Sequence, residues 1–346
     1  LAGKSWSADN GNGTFTNPLF YDEFSDPDII RVGEDYYLAG TTMHSVPGLV
    51  VLHSKDLVNW EFSSYCFDRF DDSDDFNLRN DKEAYGQGIW APAIRYHNGK
   101  FYIFSNINGH GLQVYISDSA KGPWTHHKVN GDIYDLSVLF DEDGKIYAVH
   151  KYGNVTVTEL KPDLSGPVEG SSKVVIPEGN AMGEGHHVYK INGMYYILSA
   201  DYSPMGRMQC ARSKSIWGPY ETCVISERES YGYAAGWSVG NMGIGRPLPE
   251  DGFNFQNNKP NGLNLGCATI HQGGIVQAPD GKWWGVSMQD FNAVGRTVCL
   301  SPITWIDGWP YFGLEKNLGR SPRTWFKPND MVKTPQAPYD RCDDFS

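Results

Sequence analysis

Asn98-Gly99-Lys100-Phe101-Tyr102-Ile103 is the stretch whose reading decides the fold. Asn-Gly supplies two residues that tolerate positive φ, and the aromatic and aliphatic run behind it is strand-forming, so the segment reads as a tight β-hairpin. The pattern returns four times, as Gly33-Glu34-Asp35-Tyr36-Tyr37-Leu38, Asp143-Gly144-Lys145-Ile146-Tyr147-Ala148, Asn192-Gly193-Met194-Tyr195-Tyr196-Ile197 and Asp280-Gly281-Lys282-Trp283-Trp284-Gly285. A strand-like run precedes each turn, for example Ala93-Ile94-Arg95-Tyr96 and His187-Val188-Tyr189-Lys190. A Ser-rich turn ending in an aromatic follows three of the units: Ser54 to Trp60, Ser117 to Trp124 and Ser213 to Tyr220. Helical periodicity is not sustained anywhere. Five antiparallel units of one kind predict an all-β, five-bladed β-propeller rather than a β-sandwich with accidental turn similarity. The 346 residues leave about 69 per unit, above the roughly 40–45 of WD40 blades, so long loops must decorate the blades.

The formal net charge of −12 argues against nucleic acid or an anionic membrane as partner, because phosphate backbones require a basic face. Charged residues are only 20% and aromatics 14% of the chain, the composition of a well-buried protein. No stretch approaches the roughly 20 apolar residues of a membrane span. Two sequons, Asn12-Gly13-Thr14 and Asn154-Val155-Thr156, and the acidic, aromatic-rich composition suggest a secreted, extracellular glycoprotein, expected as a monomer. The six cysteines form no C-x-x-C pair; Cys210 and Cys223 flank a turn that can bring them together as a disulfide.

In a propeller the first strand of every blade lines the central opening, so equivalent positions on those strands form a ring. Counting back seven to nine residues from each turn reaches Asp26, Trp90, Asp135, Glu184 and His271. Three carboxylates in one layer are costly unless function demands them. Acids beside an aromatic wall suggest glycoside hydrolysis, in which one carboxylate activates water and a protonated one serves the leaving oxygen. Trp90 offers a flat face to the C–H side of a sugar.

Glu23-Phe24-Ser25-Asp26-Pro27-Asp28-Ile29-Ile30, Gly88-Ile89-Trp90-Ala91-Pro92, Tyr134-Asp135-Leu136-Ser137, Gly183-Glu184-Gly185-His186-His187, His271-Gln272-Gly273-Gly274 and Gly295-Arg296 together resemble glycoside hydrolase family 43, over about residues 17–330. The resemblance implies a five-bladed propeller and inversion at the anomeric carbon. It implies Asp26 as general base, Glu184 as general acid and Asp135 as the residue that raises the acid's pKa. Arg296 and Trp90 would grip the terminal sugar. His271 would sit near the axis, beside water or a structural calcium; the chemistry itself needs no cofactor. Asp28, on the strand of Asp26, adds an acid that competes for the base role. Tyr134 is expected on the pocket wall of the leaving-group side.

The segment Gly40 to Gly48, which carries His44 as a further substrate-binding candidate, looks like the branch of the family acting on arabinoxylan. The expected activity is therefore an exo-acting α-L-arabinofuranosidase on plant cell-wall arabinoxylan or its oligosaccharides. β-D-xylosidase is the alternative within catalysis, and a non-catalytic sugar-binding propeller the alternative outside it. Residues 1–16 read as an N-terminal extension, 17–332 as the propeller, and 333–346 as a linker running into the start of a β-sandwich. Gly236-Trp237-Ser238-Val239-Gly240 matches a nucleophile elbow without its strand–turn–helix setting. His186-His187 point to opposite strand faces and cannot chelate one metal easily. Asp141-Glu142-Asp143-Gly144 reads as a hairpin turn.

Overall fold

The computed structural model describes residues 7–70, 73–85, 87–180, 182–202, 205–226, 272–290, 296–319 and 321–328. A short strand, β1 (Thr14–Thr16), precedes the first blade of β2 (Ser25–Val32), β3 (Asp35–Thr41), β4 (Gly48–Ser54) and β5 (Trp60–Phe67). The second blade is β6 (Ala93–His97), β7 (Lys100–Ile107), β8 (Gly111–Ser117) and β9 (Thr125–Lys128). The third is β10 (Ser137–Phe140), β11 (Ile146–His150), β12 (Val155–Leu160) and β13 (Lys173–Ile176). The fourth is β14 (Glu184–Ile191), β15 (Met194–Tyr202), β16 (Met205–Ser213) and β17 (Glu221–Val224). The fifth is β18 (Ile275–Gln277), β19 (Trp283–Asp290), β20 (Arg296–Ile306), β21 (Trp309–Leu314) and β22 (Asn317–Leu318). Every blade is an antiparallel meander, and the described residues contain no helix. The five-bladed propeller read from the repeat is the observed fold. Strand β1, within the stretch read as an extension, pairs with β23 (Thr324–Phe326) and ties the two ends of the described chain together.

The five hairpins form where the turn residues require them. Asn98 and Gly99 adopt φ of 49° and 80°, and Asn192 and Gly193 adopt 51° and 77°, the backbone that lets a two-residue turn follow the strand twist. The serine turns also recur. The Ser54, Ser117 and Ser213 hydroxyls each accept the N–H two residues on, at 3.1 Å in all three.

Period-2 alternation explains why the strand runs are apolar on consecutive residues: each blade is buried on both faces. Phe101 and Ile103 enter the core between blades one and two, whereas Phe104 enters the core between blades two and three. Tyr195 and Tyr196 likewise face opposite neighbours. Five such cores alternate with five blades, the last joining blade five to blade one through Trp284, Val298, Leu38 and the N-terminal Phe15 and Phe20. Removing one of these plugs, as in Phe104→Ala, costs about 3–5 kcal/mol.

Cys210 and Cys223 stand opposite each other in the β16–β17 register, but both are free thiols. The expected disulfide is not formed. The Cys210 thiol lies 3.7 Å from the Ala211 carbonyl, and that of Cys223 meets the Tyr311 hydroxyl at 3.3 Å. The Asp141–Gly144 segment is a turn, with the Gly144 N–H donating to the Asp141 carbonyl at 3.1 Å. The Gly236–Gly240 motif lies outside the described residues.

Candidate active site

Asp26, Trp90, Ala91, Tyr134, Asp135, Glu184, Gln272 and Arg296 line one pocket of about 180 Å³. It lies below the ~300–1,000 Å³ of pockets for drug-sized ligands, and so has the scale of a single ring. The three acids come from the starts of the inner strands of blades one, three and four, as the count back from the hairpin turns predicted.

The chain leaves ordinary strand geometry where the acids enter. Asp26 has φ of 52° and Asp135 of 50°, left-handed conformations that cost an L-residue roughly 1–2 kcal/mol. In blade four the strained position falls to Gly185, with φ of 65°. There glycine is needed twice over, since a Cβ would collide with the Gln272 side chain. Pairing slips between Ser25 and Asp28 in β2 and between Glu184 and His187 in β14, so Asp26 and Glu184 each sit at an irregularity that re-aims them. Strain clustered at one pocket is the pattern expected where function overrides local preference.

Neighbours then fix each carboxyl. Asp26 is 8% exposed, with the Arg296 Nη1 at 3.5 Å from its Oδ1. Arg296 is itself anchored by its backbone N–H, which donates to Glu23 Oε2 at 2.6 Å. Asp135 is 7% exposed; its Oδ2 accepts the Gly185 N–H at 2.6 Å, and its own N–H donates to Asn106 Oδ1 at 3.1 Å. Burial first, then the charges of Glu184 and Asp26, push the Asp135 carboxyl up to about 8, against the pull of the Gly185 N–H. At neutral pH the Asp135–Glu184 pair therefore carries a proton, which belongs to the pair rather than to either oxygen set. Glu184 Oε2 accepts from the Tyr134 hydroxyl at 2.8 Å.

The Trp90 main chain is clamped by Asn106, whose carbonyl accepts the Trp90 N–H at 2.9 Å, and by the Ser105 hydroxyl, which donates to the Trp90 carbonyl at 2.5 Å. Its ring lies over Gly88, where any Cβ would collide with the indole. Tyr134 is 44% exposed and lines the pocket beside Asp135, because the left-handed turn at Asp135 brings two consecutive side chains to one side.

Two sequence candidates, Asp28 and His44, lie outside this pocket. Asp28 is no rival for the base: it is 1% exposed and is not among the pocket-lining residues. The β2 irregularity turns it to the inner strands, where Arg95 Nη1 reaches it at 2.5 Å and His187 Nδ1 at 3.0 Å. Burial raises its carboxyl, but Arg95 and His187 outweigh burial and hold it below the usual range. His44 lies outside the acid pocket. The bridge between Met43 and Ile89 pins its turn, and its ring tilts against Tyr85 at 5.0 Å in a separate cavity of about 600 Å³. His271 lies outside the described residues; Gln272, one residue on and at φ of 43°, lines the pocket. Asn106 and Gln272 were missed from sequence. Asn106 follows a strand run with no turn or charge signal, although Gln272 sits inside a quoted motif. Among the described residues no three His, Cys, Asp or Glu side chains gather as a metal site; the calcium expected beside His271 falls at a residue outside the described ones.

Residues 15–232 match the family profile described as Glycosyl hydrolases family 43. A putative beta-xylosidase of Xylanibacter ruminicola is 32% identical over 99% of this chain and 58% of its own length. A non-reducing end alpha-L-arabinofuranosidase of Bacteroides ovatus is 33% identical over 91% of this chain and 56% of its own. Among solved structures, a bifunctional GH43-CE protein of Bacteroides eggerthii superposes with a TM-score of 0.74 at 32% identity, covering 92% of this chain and 38% of that one. The chain thus spans a little over half the length of the curated relatives it matches.

Proposed function

This chain belongs to glycosyl hydrolase family 43, and we propose that it is an exo-acting, inverting glycoside hydrolase that removes a terminal pentose from xylan-type polysaccharide. The observation that carries the reading is the single-ring pocket in which Asp26, Asp135 and Glu184 converge between Trp90 and Arg296. Trp90 takes the apolar face of the ring, and Arg296, 3.5 Å from Asp26, binds ring hydroxyls. Asp26, beside that guanidinium, takes a proton from a water as the water oxygen attacks the anomeric carbon. Glu184 gives its proton to the glycosidic oxygen as the C–O bond breaks, and ends as carboxylate. Asp135 keeps the pair protonated at working pH through like-charge repulsion and burial.

The finer reading is release of α-L-arabinofuranose side chains from arabinoxylan by a secreted enzyme. Release of β-D-xylose from xylo-oligosaccharides is the second reading, favoured by the name of the Xylanibacter relative. Separating the products of wheat arabinoxylan and xylobiose tests both. Arabinose from the polymer supports the first, xylose from the disaccharide supports the second, and no pentose from either overturns the proposal. Proton NMR of the fresh product tests inversion.

A further inference from the structure

The Tyr134 hydroxyl is aimed at the acid rather than at open solvent, although the residue is 44% exposed. Its main chain is held on both sides: its carbonyl accepts the Lys151 N–H at 2.9 Å, and Asn106 Nδ2 donates to the preceding Ile133 carbonyl at 2.8 Å. A rigid turn, not a free side chain, therefore delivers the hydroxyl.

We propose that Tyr134 is a positioning residue for the acid: its hydroxyl holds Glu184 Oε2, so that Oε1 is the oxygen that carries the proton to the glycosidic bond. The inference rests on the reading of Glu184 as general acid given above. Burial and the charges of Glu184, Asp135 and Asp26 raise the phenol well above its ordinary value, so it remains a donor throughout the working range. As Glu184 gives up its proton the bond becomes charge-assisted and strengthens. Tyr134 thus favours the transition state over the ground state and eases loss of the proton. Asp135 and Asp26, lining the same pocket, act in the opposite sense, and Arg296 acts with Tyr134.

Tyr134→Phe keeps the ring and deletes only the donor. A hydrogen bond of ordinary net strength corresponds to about half to one pH unit. The alkaline limb of kcat/KM should therefore move up by that amount. Turnover of a natural oligosaccharide should fall about three- to tenfold with KM little changed, while an aryl glycoside with a good leaving group should be nearly unaffected. In a Glu184→Gln background the same change should add nothing. An alkaline limb that stays in place or moves down in Tyr134→Phe, or equal losses on both substrates, would overturn the inference. Glu184→Gln without an alkaline limb alongside a Tyr134→Phe limb that has not moved overturns the positioning role alone. Glu184→Gln that retains the parent limb and substrate profile overturns the acid assignment together with it.

Discussion

Asp135 Oδ2 accepts the backbone N–H of Gly185 at 2.6 Å, which binds the residue after Glu184 to the carboxyl that faces Glu184. One short bond thus joins blade three to blade four at the pocket floor and sets the distance between two acids on different sheets. Both partners have left-handed backbone, Asp135 at 50° and Gly185 at 65°.

Gly185→Ala tests that arrangement. A side chain there is strained by its backbone and collides with Gln272. The variant should lose about 1–3 kcal/mol of stability and at least tenfold in kcat, because the acid moves with its neighbour. Thermal unfolding and steady-state kinetics on the same preparation check both.

Asp135→Asn should shift the pH profile and the stability together. Removing a like charge lets Glu184 lose its proton more readily, so the alkaline limb moves to lower pH. With the Asp135 carboxyl pushed up to about 8, the Asp135–Glu184 pair keeps a proton in the fold that the unfolded chain releases near 4. Between those values the unfolded state binds fewer protons, so the parent loses stability as pH rises. The variant is spared this loss. Its melting temperature relative to the parent should rise from pH 5 to pH 8, by at least about 2 °C. A constant difference across that range would count against a buried, protonated Asp135.

The inner strands are tied below the pocket by Asp28, Arg95 and His187, from blades one, two and four. Arg95 also donates to the Val138 carbonyl and the Ser137 hydroxyl of blade three, both at 2.5 Å. Asp28→Asn leaves a largely buried guanidinium without its counter-charge and should cost about 3 kcal/mol. With Arg95→Leu added, the total should be smaller than the sum of the two single losses. Urea unfolding of the three variants measures the coupling.

Much of this was legible in the sequence because the repeat is written in turn chemistry. Asn98-Gly99 and Asn192-Gly193 allow few backbones, and those backbones fix where each inner strand begins. Counting from them brought Asp26, Trp90, Asp135 and Glu184 into one pocket without reference to contacts. The rest depended on partners in other blades. Asp28 looked like a second base because alternation gave it the face of Asp26; an irregularity in β2 and the arginine of β6 gave it a different place. Tyr134 does line the pocket as expected, but what puts it beside Asp135 is the positive φ of Asp135, which the sequence does not announce. Cys210 and Cys223 were correctly placed opposite each other, yet register alone does not decide where a thiol turns.

The proposed reaction turns on Glu184 giving its proton to the departing glycosidic oxygen. The direct measurement is kcat/KM of Glu184→Gln against the parent on two substrates, an arabinoxylan oligosaccharide and an aryl glycoside whose leaving group departs without a proton. With Glu184 as the acid, the loss should be about 10²–10⁴-fold on the oligosaccharide and far smaller on the aryl glycoside. Equal losses on the two would contradict it.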